Sequence, residues 1–335
     1  MPTAELPGVA IIGCGLIGHK RARALHPARL VACADLNVER AQALARTVPA
    51  AVASADWQAV VVRDDVQIVI VATTNNSLAE IALGAIQAGK HVLVEKPAAR
   101  YATALSPLIS AAAERGVLVR VGFNHRYHPA LRQAHTLFTS GALGELMFVR
   151  GRYGHGGRVG YEQEWRADPV LSGGGELIDQ GVHLIDLARW FLGDFSRVAG
   201  SAHTYFWPMP VDDNAFLLLE TPQGQTAMLH VSCTEWKNLF SLEIYGRDAK
   251  LHIEGLGGSY GLERLAYYKM LPQMGPPETT IWEYPMGDNS WQLEFAEFLE
   301  DMRLGRTPAA SLADAQAALQ IVAQIYKDSG YDHHA

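Results

Sequence analysis

Cysteine is scarce, with three in 335 residues. Cys14, Cys33 and Cys233 are too few for a disulfide framework, so a reducing compartment, and hence a cytoplasmic location, is expected. Cys14 lies in a glycine turn and Cys33 in an apolar run; both read as small packing residues. No apolar run approaches the roughly 18 residues of a membrane helix. The start, MPTAELPGVAIIGCG, lacks the basic segment and cleavage site of a signal peptide. Positive charge is not in excess: Lys plus Arg number 28 against 35 Asp plus Glu, a net charge of −7. That balance argues against a broad nucleic-acid or anionic-membrane surface. Neither H-E-x-x-H nor C-x-x-C occurs, and no metal is expected. What remains is 49% apolar and 19% charged, which excludes a disordered chain and supplies about two domains of core.

Residues 8–12 (GVAII) read as a buried strand. Gly13-Cys14-Gly15-Leu16-Ile17-Gly18 follows, then a helix to about His26, then a strand over 29–34 that ends at Asp35. This is the order strand, G-x-G-x-x-G, helix, strand, acid. Gly13 allows the tight turn, Gly15 lets the backbone approach a pyrophosphate, and Gly18 lets helix and strand pack closely. The helix start offers unpaired N–H groups, Leu16 and Ile17 among them, to the phosphates. Asp35 can bond both ribose hydroxyls and repel a 2′-phosphate, so NAD is expected over NADP; Arg40 stands one helical turn beyond.

The alternation continues with a helix over 38–48, a short strand near 51–53 and a strand over 67–72 ending in Thr73-Thr74-Asn75. A helix over 77–88, a strand over 91–95, a helix over 102–115 and a strand over 117–121 follow. Apolar strands between amphipathic helices predict a doubly wound parallel sheet, a Rossmann α/β domain over 1–123. Ligands of such sheets sit at the carboxyl ends of the strands, where Asp35, Thr73–Asn75, Glu95–Pro97 and Asn124 fall.

Asp179 and His183 stand four apart in a segment, 176–192, that reads as one helix ending before Gly193. That spacing puts both on one face, with Asp186 near the same stripe. A carboxylate beside an imidazole orients it and raises its basicity, and His is suited to exchanging a proton near neutral pH. The same pair could be an ordinary polar pair on a helix surface, or reach one metal ion. Lys96, by itself, reads as a solvated turn lysine.

Four motifs together carry a resemblance. They are Gly13–Gly18; Gly89-Lys90-His91-Val92-Leu93-Val94-Glu95-Lys96-Pro97; Gly122-Phe123-Asn124-His125-Arg126; and Trp165-Arg166 with the run from Gly173 through Glu176, Asp179 and His183 to Asp186. In this order the chain resembles the Gfo/Idh/MocA oxidoreductases, the family of glucose–fructose oxidoreductase and inositol dehydrogenase. The resemblance implies that Lys96 hydrogen-bonds the reacting oxygen, that His183 is the general acid/base and that Asp179 positions substrate and His183. It implies cofactor contacts from Thr73, Thr74, Asn75, Glu95, Lys96 and Asn124, and cofactor or active-site contacts from Trp165 and Arg166, although Arg166 could instead cap the Gly173–Gly175 loop with ordinary salt bridges. Two departures stand out. Thr74 and Leu78 occupy places where many members carry Pro and His, which clouds the nicotinamide-loop contacts. His125 stands where members often have Arg, so the neighbouring pocket is expected to be unusual.

The second domain, 124–335, is expected to be α+β. A helix over 129–140 precedes strands over 145–153, 197–207, 214–221, 225–235, 239–246 and 249–254, and helices over 290–303 and 311–328 close the chain. This reads as a largely antiparallel open sheet with one face on helices, the segment from Pro272 to Pro285 being an ordered excursion. Such a sheet is expected to bind substrate and to build a homodimer or homotetramer. His125, Arg126, Tyr153, His155, Arg158, Trp236 and Lys237 are the expected substrate contacts beside Lys96, Asp179 and His183. Arg126, Arg152, Arg158 or Lys237 could grip an anionic group on an activated sugar, or serve only as structural cations of the sheet edge.

The expected activity is hydride transfer between NAD(P) and a ring carbon of a sugar, cyclitol or nucleotide- or phospho-sugar, a small-molecule substrate. Two rivals are a cofactor-retaining glycosidase that works by transient oxidation, and a nucleotide-sensing protein without turnover.

Overall fold

The computed structural model of the protein describes residues 6–273 and 275–331. The chain forms two compact units, Met1–Phe123 with Trp291–Gln316, and Asn124–Ser290 with Ala317–Ala335.

The first unit alternates strand and helix: β1 (Gly8–Ile12), α1 (Leu16–Arg23), β2 (Arg29–Ala34), α2 (Val38–Ala45), β3 (Val52–Ser54), α3 (Trp57–Val61), β4 (Ile68–Val71), α4 (Asn75–Gln87), β5 (His91–Val94), α5 (Ser106–Arg115) and β6 (Val119–Val121). Its six strands are ordered β3-β2-β1-β4-β5-β6 and all pair in parallel. The order reverses at β1 and β4, the switch point at which doubly wound sheets bind their ligands. The strands are apolar on both faces because helices cover both: every residue of β1 and β4 is buried. Local caps set several helix starts. Asn37 accepts from the Glu39 amide at α2, and Asp56 accepts from Gln58 and Ala59 at α3, a helix the sequence pattern did not suggest.

In the second unit, α6 (Pro129–Thr139), β7 (Leu146–Gly154), α7 (Pro169–Ser172) and α8 (Val182–Leu192) precede seven strands. These are β8 (Arg197–His203), β9 (Asn214–Glu220), β10 (Thr226–Ser232), β11 (Leu239–Gly246), β12 (Ala249–Glu254), β13 (Glu263–Lys269) and β14 (Glu278–Tyr284). The sheet runs β14-β13-β12-β11-β7-β10-β9-β8. Every pair is antiparallel except β7 with β10, which is parallel. Strand β14 replaces most of the excursion expected over 272–285, and β13 was not expected either. On β14 the residues are mostly exposed and polar, so no alternation marks it in the sequence. One sheet face packs on α8: a Cβ on Gly151 of β7 would lie 3.3 Å from the Leu184 side chain.

Helix α9 (Ser290–Leu304) does not stay with the second unit, where 124–335 was expected to form one domain. Phe295 and Phe298 join the first unit's core with Ile11, Leu44, Ile70 and Leu93. Two buried arginines fasten it there. Arg21 of α1 pairs with Glu294, and Arg120 of β6 pairs with Asp301. Helix α10 (Leu312–Asp328) begins in the first unit and ends in the second.

Candidate active site

The carboxyl ends of β1 and β2 build a cradle from the chain's own amides. Added Cβ atoms on Gly13 and Gly18 would lie 2.5 Å from the Ala72 backbone and 2.2 Å from the Gly13 carbonyl oxygen, so both positions are closed by packing. Gly15 differs, with no protein atom within 4 Å of the same position. It caps α1 without a side-chain hydrogen bond, leaving the first-turn N–H groups of Leu16 and Ile17 to an anion. Asp35 is aimed by two amides: its Oδ2 accepts from Cys14 N at 2.8 Å and its Oδ1 from Asn37 N at 2.9 Å. Arg40 is exposed on α2. An open glycine, a free helix start and an oriented carboxylate fit a dinucleotide.

The ends of β4 and β5 supply further groups on the same edge of the sheet. Ser77 donates to the Thr73 hydroxyl at 2.9 Å and Thr74 donates to Asn76 at 2.7 Å, which fixes the loop opening α4. Asn75 is buried at that helix's first turn. Leu78 is fully buried, so a core leucine stands where many relatives place His. Lys96 is half-buried directly after β5. Its neighbour Glu95 is buried and accepts from Arg21 Nε at 2.6 Å. Its Oε1 belongs to an internal ion cluster with Arg21 and Glu294.

In the second unit the residues gather around the helix start below β7. The expected α-helix over 176–192 is a π-helical turn over Leu177–Gly181 followed by α8. Such turns recur at functional sites. Asp179 and His183 are both buried. Arg166 Nε donates to Asp179 Oδ2 at 2.9 Å, and the carboxylate holds the guanidinium above its ordinary pKa against the cost of burial. The guanidinium also covers the Trp165 ring at 4.7 Å. The His183 ring stacks on His125 at 3.7 Å between centroids, with Tyr153 edge-on to both. Asn124, expected at the cofactor, donates to Ser290 Oγ at 2.8 Å.

Beside this group lies an acid that sequence reasoning did not single out. Glu176 is buried and accepts from the Tyr161 hydroxyl at 2.8 Å, with His155 Nε2 3.3 Å away. Its position three before Asp179 is the signal that would have found it. Gly157 N donates to His155 Nδ1 at 3.0 Å, which places the proton of a neutral ring on Nε2, facing Glu176. Burial works against charge on His155, yet Glu176 outweighs it and raises the imidazole's pKa. Tyr153 and Tyr260 are both raised by burial and stay neutral phenols.

Two of the cations expected to grip an anion pair with carboxylates. Arg126 is buried and bidentate to Asp186, through Nε at 2.8 Å and Nη2 at 2.5 Å. Arg158 is exposed and pairs with Glu164 at 2.6 Å. Arg152 points to the sheet face opposite Tyr153, by strand alternation. Lys237 and Trp236 are exposed on the loop between β10 and β11. Among the described residues, no three His, Cys, Asp or Glu side chains cluster as a metal site.

Comparison with known proteins agrees with this arrangement. Residues 8–123 match the oxidoreductase family with an NAD-binding Rossmann fold, and residues 131–252 match the GFO/IDH/MocA C-terminal domain. A levoglucosan dehydrogenase of Pseudarthrobacter phenanthrenivorans is 32% identical over 57% of this chain, which spans half of that protein's length. Inositol 2-dehydrogenase 2 of Saccharopolyspora erythraea is 30% identical over 76% of this chain and 72% of its own. A solved levoglucosan dehydrogenase complex with NADH and levoglucosan superposes with a TM-score of 0.85 at 25% identity, covering 97% of this chain and 98% of that one. With family matches over both units, the chain belongs to the Gfo/Idh/MocA family of NAD-binding oxidoreductases.

Proposed function

We propose that the protein is an NAD-dependent dehydrogenase acting on a ring hydroxyl of an uncharged sugar or cyclitol. The relatives named for levoglucosan and inositol support the class. The observation that carries the uncharged form is the neutralisation of cations on the second unit's candidate site: Arg166 by Asp179, Arg126 by Asp186 and Arg158 by Glu164. At Arg126 a phosphate or nucleotide would have to displace the carboxylate of a buried pair, at a cost of several kcal/mol, and at Arg166 and Arg158 it would compete with a carboxylate already in place. Nucleotide- and phospho-sugars are therefore the less favoured substrates.

Bound NAD supplies the hydride acceptor. Lys96 donates a hydrogen bond to the reacting oxygen and stabilises negative charge on it as its proton leaves. An imidazole nitrogen of His183 receives that proton. Asp179, held by Arg166, accepts from a substrate hydroxyl and fixes which carbon faces the cofactor. Tyr153 contributes a neutral phenol and His155, paired with Glu176, an imidazole N–H to the same pocket.

The open sheet face is the proposed self-association surface of a homodimer or homotetramer. Phe148, Phe216, Leu218 and Met228 are exposed there on three adjacent strands, an apolar patch that a second copy would cover.

The test is a spectrophotometric assay of reduced nicotinamide with NAD or NADP and a panel of cyclitols, free sugars, glycosides, sugar phosphates and nucleotide sugars. Reduction with an uncharged substrate is the expected result. Reduction with nucleotide sugars alone would refute the uncharged class. Glycoside cleavage without net reduction would establish the cofactor-retaining glycosidase instead.

A further inference from the structure

Trp236 is the one large aromatic residue among the described residues that combines exposure with a left-handed backbone. It is 65% exposed and has φ +57°. A bulky L-residue in that region is strained, and such strain is retained where the surroundings impose it, often at ligand sites. The surroundings here are rigid. A Cβ on Gly156 would lie 3.0 Å from the Trp236 Cα, so the facing loop leaves little room for a side chain there. Phe206 meets the indole edge-on, with centroids 4.7 Å apart. Phe206 is in turn fixed by Asp213, whose carboxylate accepts from the consecutive amides of Tyr205, Phe206 and Trp207. Trp236 is thus exposed on a backbone that its neighbours fix.

Trp236 sits on a loop that is tied to the candidate site through its neighbours. Glu235 N donates to the His155 carbonyl at 3.0 Å, one residue before it. Asn238, two residues after it, donates to the Ser259 carbonyl at 2.8 Å. The next residue, Tyr260, lies 5.1 Å from Tyr153, ring to ring, and Tyr153 adjoins His183. The same loop carries Glu235, Lys237 and Asn238, side chains with hydrogen-bonding groups suited to a polyol.

We infer that Trp236 is a stacking platform for a second ring of the substrate, so that the preferred substrates are glycosides or disaccharides whose first ring is oxidised. This rests on the dehydrogenase reading above and narrows it. A pyranose offers an apolar C–H face to the indole and hydroxyls to the flanking polar groups. The free monosaccharide or inositol would use only the inner part of the site.

The experiment compares kcat/KM for cellobiose, maltose and methyl glucosides with that for glucose and myo-inositol, in the wild type and in Trp236→Ala, Trp236→Phe and Trp236→Gly. Binding of the same sugars to the NAD-loaded protein is measured by calorimetry. The expected result is a two-ring over one-ring preference that falls about tenfold in Trp236→Ala, as loss of a ring contact implies. Trp236→Phe should recover part of it. Trp236→Gly should lose the preference yet melt at a higher temperature than Trp236→Ala, because glycine relieves the backbone. Sugar oxidation with a preference that Trp236→Ala leaves intact overturns the platform while sparing the dehydrogenase reading. No oxidation of any sugar overturns that reading, and two-ring binding lost in Trp236→Ala would still support the platform. No sugar binding at all overturns the platform too. So does a Trp236→Ala variant that sediments as a smaller species, since the ring would then be buried by a second copy.

Discussion

The imidazoles of His125 and His183 lie face to face, 3.7 Å between centroids and 14° from parallel. Both rings are buried, and Tyr153 and Phe240 close the edge of His125. A ring at position 125 therefore fixes the plane of the proposed acid/base. His183→Ala should lower kcat by about 10²- to 10⁴-fold, the usual worth of a general base, while NAD binding persists. His125→Phe preserves the stack and should keep more activity than His125→Ala, which opens a space beside His183. Equal losses in the two His125 variants, in steady-state kinetics, would show that the stack does not position the base.

Gly15 and Gly18 make a paired test of the cradle. Nothing in the protein lies near the Gly15 Cβ position, whereas at Gly18 that position meets a carbonyl oxygen at 2.2 Å. Gly15→Ala should fold with a near-normal melting temperature and bind NAD at least about tenfold more weakly, because the new methyl occupies the space meant for the pyrophosphate. Gly18→Ala should melt at lower temperature as well. An unchanged NAD dissociation constant in Gly15→Ala would move the pyrophosphate elsewhere.

Asp35 is the residue proposed to choose the coenzyme. Two backbone amides orient its carboxylate, and that charge repels a 2′-phosphate. The wild type should bind NAD more tightly than NADP, and Asp35→Ser should narrow or reverse the difference, with Arg40 one turn along α2 available to the phosphate. Equal titration curves for both coenzymes in the wild type would sink the assignment.

Much of this was legible in the residues. Apolar runs such as Ile68–Val71, buried on both faces, can be little else than central parallel strands once helices alternate with them. The Gly13–Gly18 run and Asp35 declared the cradle because each glycine has its own steric reason. Distance in sequence hid the rest. Arg126 reads as a free cation until Asp186, sixty residues on, is seen to hold it. Helix α9 reads as part of the second domain until Phe295 and Phe298 are found in the first unit's core. Strand β14 lacks alternation because its side chains are mostly exposed. The π-helical turn at Leu177–Gly181 has no periodicity of its own that five residues could display.

Asp212 is a further case of a partner brought from afar, and it makes stability depend on pH. Its Oδ1 accepts from Gly175 N at 2.8 Å and from the Tyr326 hydroxyl, and its Oδ2 accepts from Leu177 N at 2.8 Å. It thereby secures the turn that carries Asp179. Burial pushes its carboxyl up from 3.8 to about 6, although the three donors pull the other way. A carboxyl raised on folding favours the folded state most when protonated. Its contribution is full below about pH 3.8 and is lost as pH rises through about 6, a change on the order of 3 kcal/mol. Asp212→Asn cannot titrate, and its amide also places a donor against a backbone N–H, a loss that does not vary with pH. The wild type should therefore exceed Asp212→Asn in unfolding free energy by a margin that shrinks between about pH 4 and pH 7. Urea denaturation of both proteins across that range measures it. A margin that grows with pH would mean the three donors, not burial, govern the group.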